Sequence, residues 1–546
     1  MKTNSNPSLG MQPNIRLRVA LVVVLALCAA AAYIPVLNAG WVYDDVNLVQ
    51  PSPALKDLAG LGRAVSTDLY SQAAPRLEKS PYWRPFTMAS FWLDTRFGDP
   101  PLVLHIGNIL LHALITALLA FVLLRRHCGT SKDSTGGVVA GIVAAASAAA
   151  WWAFHPQNVE PVAWISCRYD LLCCVALLCL LAVPWRPGPL RAALYGVIFL
   201  AGLLSKEGFG VIAAVVVAMD FADRRPAQAA APRWVAVGLA LVIWMALRAA
   251  VGIQSFDLPP IEVIPAILGN YLEVIAIYFG RAFAFQPLTI SHPYVPGGAL
   301  MVAAGAAIIA VLVVAAVRWR RLAVPVMIFL VWFGPVAAAM VMFHVVPERY
   351  FYIPSIGLAM LVGELVALAM SARHRLVHVA VPAVIGVVII LGLVHLERRL
   401  PDWKSDDTLW RAAYRVNPLD SEANLYLAIA AGRRGDWGDA LRSIETAARG
   451  DQSSGRIANT FSWVLIGMGN YAGAIREAER ATALAPYQPN GWYYLAFARH
   501  KIGDHAGELA AIEKLLQIAP NYPGALEMRE VAKCEVSGRT DCLKGR

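Results

Sequence analysis

Two adjacent carboxylates stand in the motif Trp41-Val42-Tyr43-Asp44-Asp45, just beyond the first long apolar run. Such a pair at a membrane surface can take a proton as a general base, hold a cation or cap a helix. The residues themselves leave these three readings open. Further ionisable groups recur in short polar intervals between apolar runs. They are Arg84, the stretch His155 to Arg168 with Glu160, the pair Lys206 and Glu207, and Glu348-Arg349-Tyr350. Ionisable groups in or beside a membrane are costly and usually functional. Plainer roles stand beside that one. Arg349 can pin a helix end, Glu207 can keep Lys206 charged, Glu160 can pair with Arg168, and Asp94 and Arg96 can be ordinary loop charges. His105, Asn108 and His112 recur on one helical face and suit hydrogen bonds between helices. Trp151, Trp152 and Phe154 beside His155 suit an interfacial aromatic belt.

The elements that must position these residues are membrane helices. The chain has 546 residues, of which 58% are apolar and 15% charged, with a mean hydropathy of +0.54. Soluble domains are about 45–50% apolar and about 25% charged. A wholly soluble enzyme, a disordered chain and a small disulfide-stapled domain are excluded. Spans are expected at 17–38, 101–124, 137–154, 169–185, 234–252, 299–317, 322–343, 351–370 and 376–396. The net charge of +10 lies largely in short Arg clusters between them, which orients the chain in a bilayer and does not suggest nucleic acid. Those clusters predict a cytoplasmic N-terminus, with the first apolar run retained as a span.

Residues 192–219 are expected as a hairpin with Lys206 and Glu207 at its outer tip, in preference to one long span. Residues 262–286 then become re-entrant or interfacial, with Asn270, Glu273 and Arg281 on one amphipathic face. This path gives about 11 spans by the length rule. It brings the first loop, 39–100, and all the polar intervals named above to the extracytoplasmic face.

The apolar character ends near residue 397. Beyond it, Gly435, Gly469 and Gly503 are spaced by 34, each followed by Asp436, Asn470 or Asp504. Pro418, Pro486 and Pro520 keep the same period. That is the tetratricopeptide pattern, in which the glycine turns one helix into the next. Repeats are expected at 421–454, 455–488 and 489–522, with a leading helix at 405–416 and a capping helix at 524–535. Gln452 stands where a proline is expected and predicts a looser exit. Six cysteines lie in or beside apolar segments, while Cys534 and Cys542 could form a disulfide outside the cytoplasm. The fold class is therefore all-α: a polytopic membrane bundle over 1–396 and an extracytoplasmic α-solenoid over 397–546.

The motifs in their order resemble the polyprenol-dependent GT-C glycosyltransferases, and among them the transmembrane-and-tetratricopeptide protein O-mannosyltransferases and their bacterial relatives. The resemblance rests on Tyr43-Asp44-Asp45; on Tyr82-Trp83-Arg84-Pro85, then His105-Ile106-Gly107-Asn108 and His112; on His155-Pro156-Gln157-Asn158-Val159-Glu160 with Arg168; on Ser205-Lys206-Glu207; and on Glu348-Arg349-Tyr350-Phe351-Tyr352-Ile353-Pro354. It implies a sugar donor on a polyprenyl phosphate and an acceptor hydroxyl on a protein held by the repeats. It implies Asp44 or Asp45 as the base. Arg84, Arg168, Lys206 and Arg349 become candidates to meet the leaving phosphate, and His155, Glu160, Glu207 and Tyr350 complete the expected substrate-binding set. Displacement by this route inverts the anomeric centre. A divalent ion at Asp44 and Asp45 is compatible and not required. A bacterial inner membrane is expected, and an endoplasmic reticulum membrane would give the same topology.

Three other readings compete. A non-catalytic scaffold displaying repeats explains the tail and leaves the ionisable groups unexplained. A lipid-linked sugar flippase predicts polar groups at midplane depth and repeated spans. Transfer of a whole lipid-linked oligosaccharide is a variant of the leading reading. The chain holds no G-x-x-x-x-G-K-[ST], H-E-x-x-H, C-x-x-C or D-x-D motif, which argues against a nucleotide-driven motor, a zincin and a thioredoxin-like site.

Overall fold

A computed structural model describes residues 13–71, 80–128, 135–254, 260–284, 288–290, 297–343 and 346–537. Among them every regular element is helical. The chain divides into two units, Met1–Ser405 and Asp406–Arg546. The division falls a little beyond the expected residue 397 because Arg375–Arg399 runs into a 3-10 turn, Leu400–Lys404, that folds back on the first unit. There the Gly40 N–H donates to the Lys404 carbonyl at 3.0 Å.

Nine helices among the described residues are long and apolar enough to cross a membrane, or ten if Gly137–Ala153 and Pro156–Ala163, bent by 53°, form one span. Their burial sorts them. Ile165–Ala182 and Glu348–Met370 are each 72% buried, whereas Gly298–Arg318 and Arg375–Lys404 are 11% buried. The two most buried spans begin at polar intervals, and Gly298–Arg318, which carries no polar side chain from 299 to 317, is among the least buried, as suits a lipid-facing helix. Where helices cross most closely a small residue is required: a Cβ on Gly305 would collide with the Leu272 carbonyl.

The Arg clusters meet at one end of this unit. Arg126 pairs with Glu364 at 2.5 Å, and Arg321 reaches the same carboxylate at 3.4 Å. Arg225 pairs with Asp223 at 2.7 Å, and Arg320 stacks over Phe221 at 4.5 Å. The short helix Pro189–Ser205 leaves this end and the chain returns to it. Arg233 pairs with Asp220, just past the end of the interval, and lies 5.3 Å from the ring of Tyr195 near its start. The two ends of the interval thus lie together, as in the hairpin reading, and the turn is at Lys206, whose backbone is extended (φ −156°, ψ 132°).

Residues 262–286 depart from expectation. Ile261–Arg281 is itself long and apolar enough to cross. Its Glu273 is buried and accepts the Gly297 N–H at 3.0 Å, so it does not face solvent from an amphipathic helix.

The second unit is a run of paired helices: Ser421–Arg433 with Trp437–Gly450, Gly455–Gly467 with Tyr471–Leu484, and Pro489–Lys501 with His505–Ile518. Asp406–Val416 precedes them and Ala525–Ser537 follows. Each pair turns on a glycine in the left-handed region, Gly435 at φ +83°, Gly469 at +76° and Gly503 at +79°. Asn470 and Asp504 then cap the next helix through the Gly473 and Gly507 N–H groups, at 3.0 Å and 2.9 Å. At the exit where Gln452 replaces the expected proline, Arg480 donates to the Gln452 carbonyl at 3.0 Å. Cys534 is disulfide-bonded; Cys542 lies outside the described residues.

Candidate catalytic face

Opposite the basic end, five separate segments bring their polar residues together. The first loop leaves its helix through Tyr43, which has the left-handed φ of +55°. For a non-glycine residue that conformation is costly and persists only where the surroundings hold it. The Tyr43 ring packs 5.3 Å from Trp164, and the Arg349 guanidinium lies 5.1 Å from the same indole. Trp164 therefore joins the carboxylate motif to the 348–350 segment.

The two carboxylates of the motif are not equivalent. Asp45 is fully buried, and its Oδ1 accepts the Ser166 N–H at 2.8 Å and the Ser166 hydroxyl at 2.5 Å. Burial raises its carboxyl to about 7, against these hydrogen bonds, which pull it down. Asp44 is half-buried at the start of a single π-helical turn, Asp45–Val49.

Three cations flank this loop, each seated on a more deeply buried carboxylate. Arg84 Nε pairs with Glu207 at 3.2 Å, Lys206 with Asp170 at 2.6 Å and Arg349 Nη1 with Glu160 at 2.5 Å. Glu207 also accepts the Trp83 N–H at 2.6 Å, and Glu160 the Arg349 N–H at 3.1 Å. The carboxylates are 0–7% exposed and the cations 10–16%. Each cation is thus the more exposed member of its pair. Arg84 and Lys206 share one aromatic floor, 4.0 Å and 4.7 Å from the Tyr169 ring. Tyr350 packs 5.2 Å from Arg349.

Other expected site residues are spent on the scaffold. Arg168 is buried, with Nε on Asn108 at 2.7 Å, Nη2 on the Leu104 carbonyl at 2.6 Å and Nη1 on Asp94 at 2.5 Å. A guanidinium so engaged positions helices and does not present a face to a phosphate. His155 is buried; its Nε2 donates to the Ala282 carbonyl at 3.2 Å, and its Nδ1 accepts the Gln157 N–H at 3.3 Å. Trp151 and Trp152 are buried in the bundle, where a belt was expected, and Trp152 donates to Ser355 at 2.9 Å. Asn108 and His112 do bond between helices: Asn108 to the Trp164 carbonyl at 3.2 Å, and His112 to the Tyr352 hydroxyl at 2.8 Å.

The charge pairs also differ from expectation. Lys206 takes Asp170 and leaves Glu207 to Arg84; Arg168 takes Asp94 and leaves Glu160 to Arg349. Asp170 and Tyr169 were missed. Their signal was local, since Arg168-Tyr169-Asp170 opens a helix at the face, where an acidic first turn is favoured.

The tetratricopeptide repeat profile matches residues 408–456 and 460–523. A protein O-mannosyl-transferase of Caenorhabditis elegans is 22% identical over 79% of this chain and 62% of its own length. Drosophila melanogaster Tmtc1 and Tmtc2, both named protein O-mannosyl-transferases, are 32% and 29% identical over 28% and 31% of this chain. The chain resembles the protein O-mannosyl-transferases. It spans 62% of the length of the nematode relative and only 17% and 18% of the two insect ones. Among solved structures, that of MamA is 22% identical, covering 24% of this chain and 77% of its own, at a TM-score of 0.23. Yeast Tom70 is 12% identical, covering 72% of this chain and 92% of its own, also at 0.23. Scores so low carry no argument. The resemblance therefore rests on sequence, and a match over 79% of this chain reaches beyond the first unit.

Proposed function

We propose that this chain is a membrane glycosyltransferase that moves a sugar from a polyprenyl-phosphate donor to a hydroxyl of an extracytoplasmic protein. The observation that carries the reading is the set of three cations, Arg84, Lys206 and Arg349, held on buried carboxylates beside the Asp44 loop. The similarity to protein O-mannosyl-transferases supports it. Asp44 takes the proton of the acceptor hydroxyl, whose oxygen bonds to the anomeric carbon. The bond from that carbon to the phosphate oxygen breaks on the opposite side, so the centre inverts and polyprenyl phosphate leaves. The charge on the departing phosphate grows, and prepositioned cations stabilise it without reorganisation. A positioned base contributes about 10²–10⁴-fold.

Asp45 has a different task in this reading. It is buried, and its tie to Ser166 fixes the loop that carries Asp44. The repeats hold the acceptor on the same side of the membrane. The basic clusters at the opposite end of the bundle support a cytoplasmic assignment for that end, and the disulfide at Cys534 supports an oxidising compartment for the repeats.

Intact-mass profiling of envelope proteins tests this, in cells with the wild-type gene, a deletion, or Asp44→Asn at equal expression. A hexose- or pentose-sized mass should disappear from the same proteins in the deletion and in Asp44→Asn. Full restoration by Asp44→Asn would refute a catalytic carboxylate and leave the scaffold reading in its place.

A further inference from the structure

The last repeat carries a side-chain cluster that sugar transfer does not use. His500 lies near the end of Pro489–Lys501, His505 and Glu508 in the first turn of His505–Ile518, and Glu535 on Ala525–Ser537. Each turns one donor atom to a common point, and the four atoms lie within 4.8 Å of one another. His500 Nδ1 is 3.0 Å from Glu508 Oε2 and 3.5 Å from Glu535 Oε2. His505 Nδ1 is 3.4 Å and 2.8 Å from the same two atoms. Ligands about 2.0–2.1 Å from a tetrahedral metal are about 3.3 Å apart. Four of the six edges of such a tetrahedron are already near that length.

An ion-pair reading fits less well. Among the described residues, Glu535 Oε2 is buried and accepts no hydrogen bond, although His505 Nδ1 is 2.8 Å away. His500 Nδ1 and His505 Nδ1 both reach Glu508 Oε2 in hydrogen-bond geometry, at 3.0 Å and 3.4 Å; each nitrogen has one site for a proton yet faces two carboxylates, whereas a cation at the common point meets all four groups. Two carboxylates and two neutral imidazoles sum to −2, which a divalent cation neutralises. Imidazole with carboxylate suits zinc. The His side chains are 36% and 33% exposed, so an ion can enter from solvent.

We propose that His500, His505, Glu508 and Glu535 form a divalent-cation site of the zinc type that staples the Ala525–Ser537 helix to the final repeat. In a solenoid each helix pair is held by its neighbours, and such a tie adds to the contact between Ala525–Ser537 and the repeat before it. The three helices supply the ligands jointly, so the site exists only when the cap is docked. It is independent of the transferase reading.

The test uses the full chain in detergent, stripped with chelator, equilibrated with Zn²⁺ and desalted. Metal analysis should give one zinc per chain, and a His505→Ala/Glu535→Gln double variant should lose it. Co²⁺ in the wild type should give the intense visible absorption of a tetrahedral site, a readout that needs no variant to fold. Wild-type protein that retains no zinc, a double variant that retains as much as wild type, or a pale octahedral Co²⁺ spectrum would each overturn the site.

Discussion

The Asp45 carboxylate and Ser166 are bonded twice, through the Ser166 N–H at 2.8 Å and its hydroxyl at 2.5 Å, both on Oδ1. This tie spans 121 residues of sequence and fixes the first loop to the turn before Arg168. It also separates two neighbouring carboxylates into a buried anchor and a half-buried candidate base.

Asp45 has a pH signature. Burial lifts its carboxyl to about 7, from about 4 in an unfolded chain. The folded state then holds the proton more tightly than the unfolded one. Stability falls as pH rises between those values, by up to about 1.4 kcal/mol per pH unit, and is flat below and above them. Asp45→Asn removes this slope. Relative to wild type, its melting temperature in detergent should be higher at pH 8 than at pH 5. A difference that does not change with pH would mean that Asp45 is charged throughout.

Arg84 and Glu207 give a kinetic prediction. Glu207 holds Arg84 through Nε and the loop through the Trp83 N–H. Glu207→Gln keeps the acceptor for Trp83 and loses the charge behind the guanidinium. Transfer by the purified protein from a polyprenyl-phosphate sugar should slow by about 10–100-fold, chiefly in kcat, because the interaction strengthens as the phosphate leaves. Arg84→Lys should not restore the rate, since an ammonium lacks the planar fork. Unchanged kcat in both variants would remove Arg84 from the reaction.

The repeats were legible because their signal is periodic: a glycine every 34 residues became a left-handed turn each time. The spans were legible because apolar length is local. The charge partners were not, and Lys206 shows why. Its backbone is extended, so consecutive side chains leave on opposite sides. Lys206 turns to Asp170 while Glu207 turns to Arg84, 123 residues away. Adjacency in sequence suggested a pair that an extended backbone forbids. In the same way, Glu160 and Arg168 share a short interval, but the buried Arg168 faces the first loop and Glu160 faces residue 349.

Arg168 and Asp94 should behave as structure, not chemistry. The guanidinium is 1% exposed and makes bonds to Asp94, Asn108 and the Leu104 carbonyl. Removing one partner of a buried pair costs about 3–5 kcal/mol, because a charge is left uncompensated. Asp94→Ala should therefore lower the melting temperature and the yield of folded protein, while the molecules that fold keep a normal KM. A stable Asp94→Ala protein with an impaired kcat would move the pair into the catalytic machinery.

The repeat glycines separate backbone need from packing need. Gly469 sits at φ +76° with open space where a Cβ would go. A side chain there meets no neighbour, and only the left-handed backbone resists it, at about 1–2 kcal/mol. Gly438 lies in the first turn of Trp437–Gly450, where a Cβ meets nothing nearer than Arg442 at 4.0 Å. Alanine at that position restricts the unfolded chain and should stabilise by about 0.4–1 kcal/mol. Thermal unfolding followed by helicity should show Gly469→Ala melting lower than wild type and Gly438→Ala melting at or above it. Equal effects would mean that the turn at Gly469 relaxes to another conformation, and the 34-residue spacing would then owe nothing to the left-handed turn.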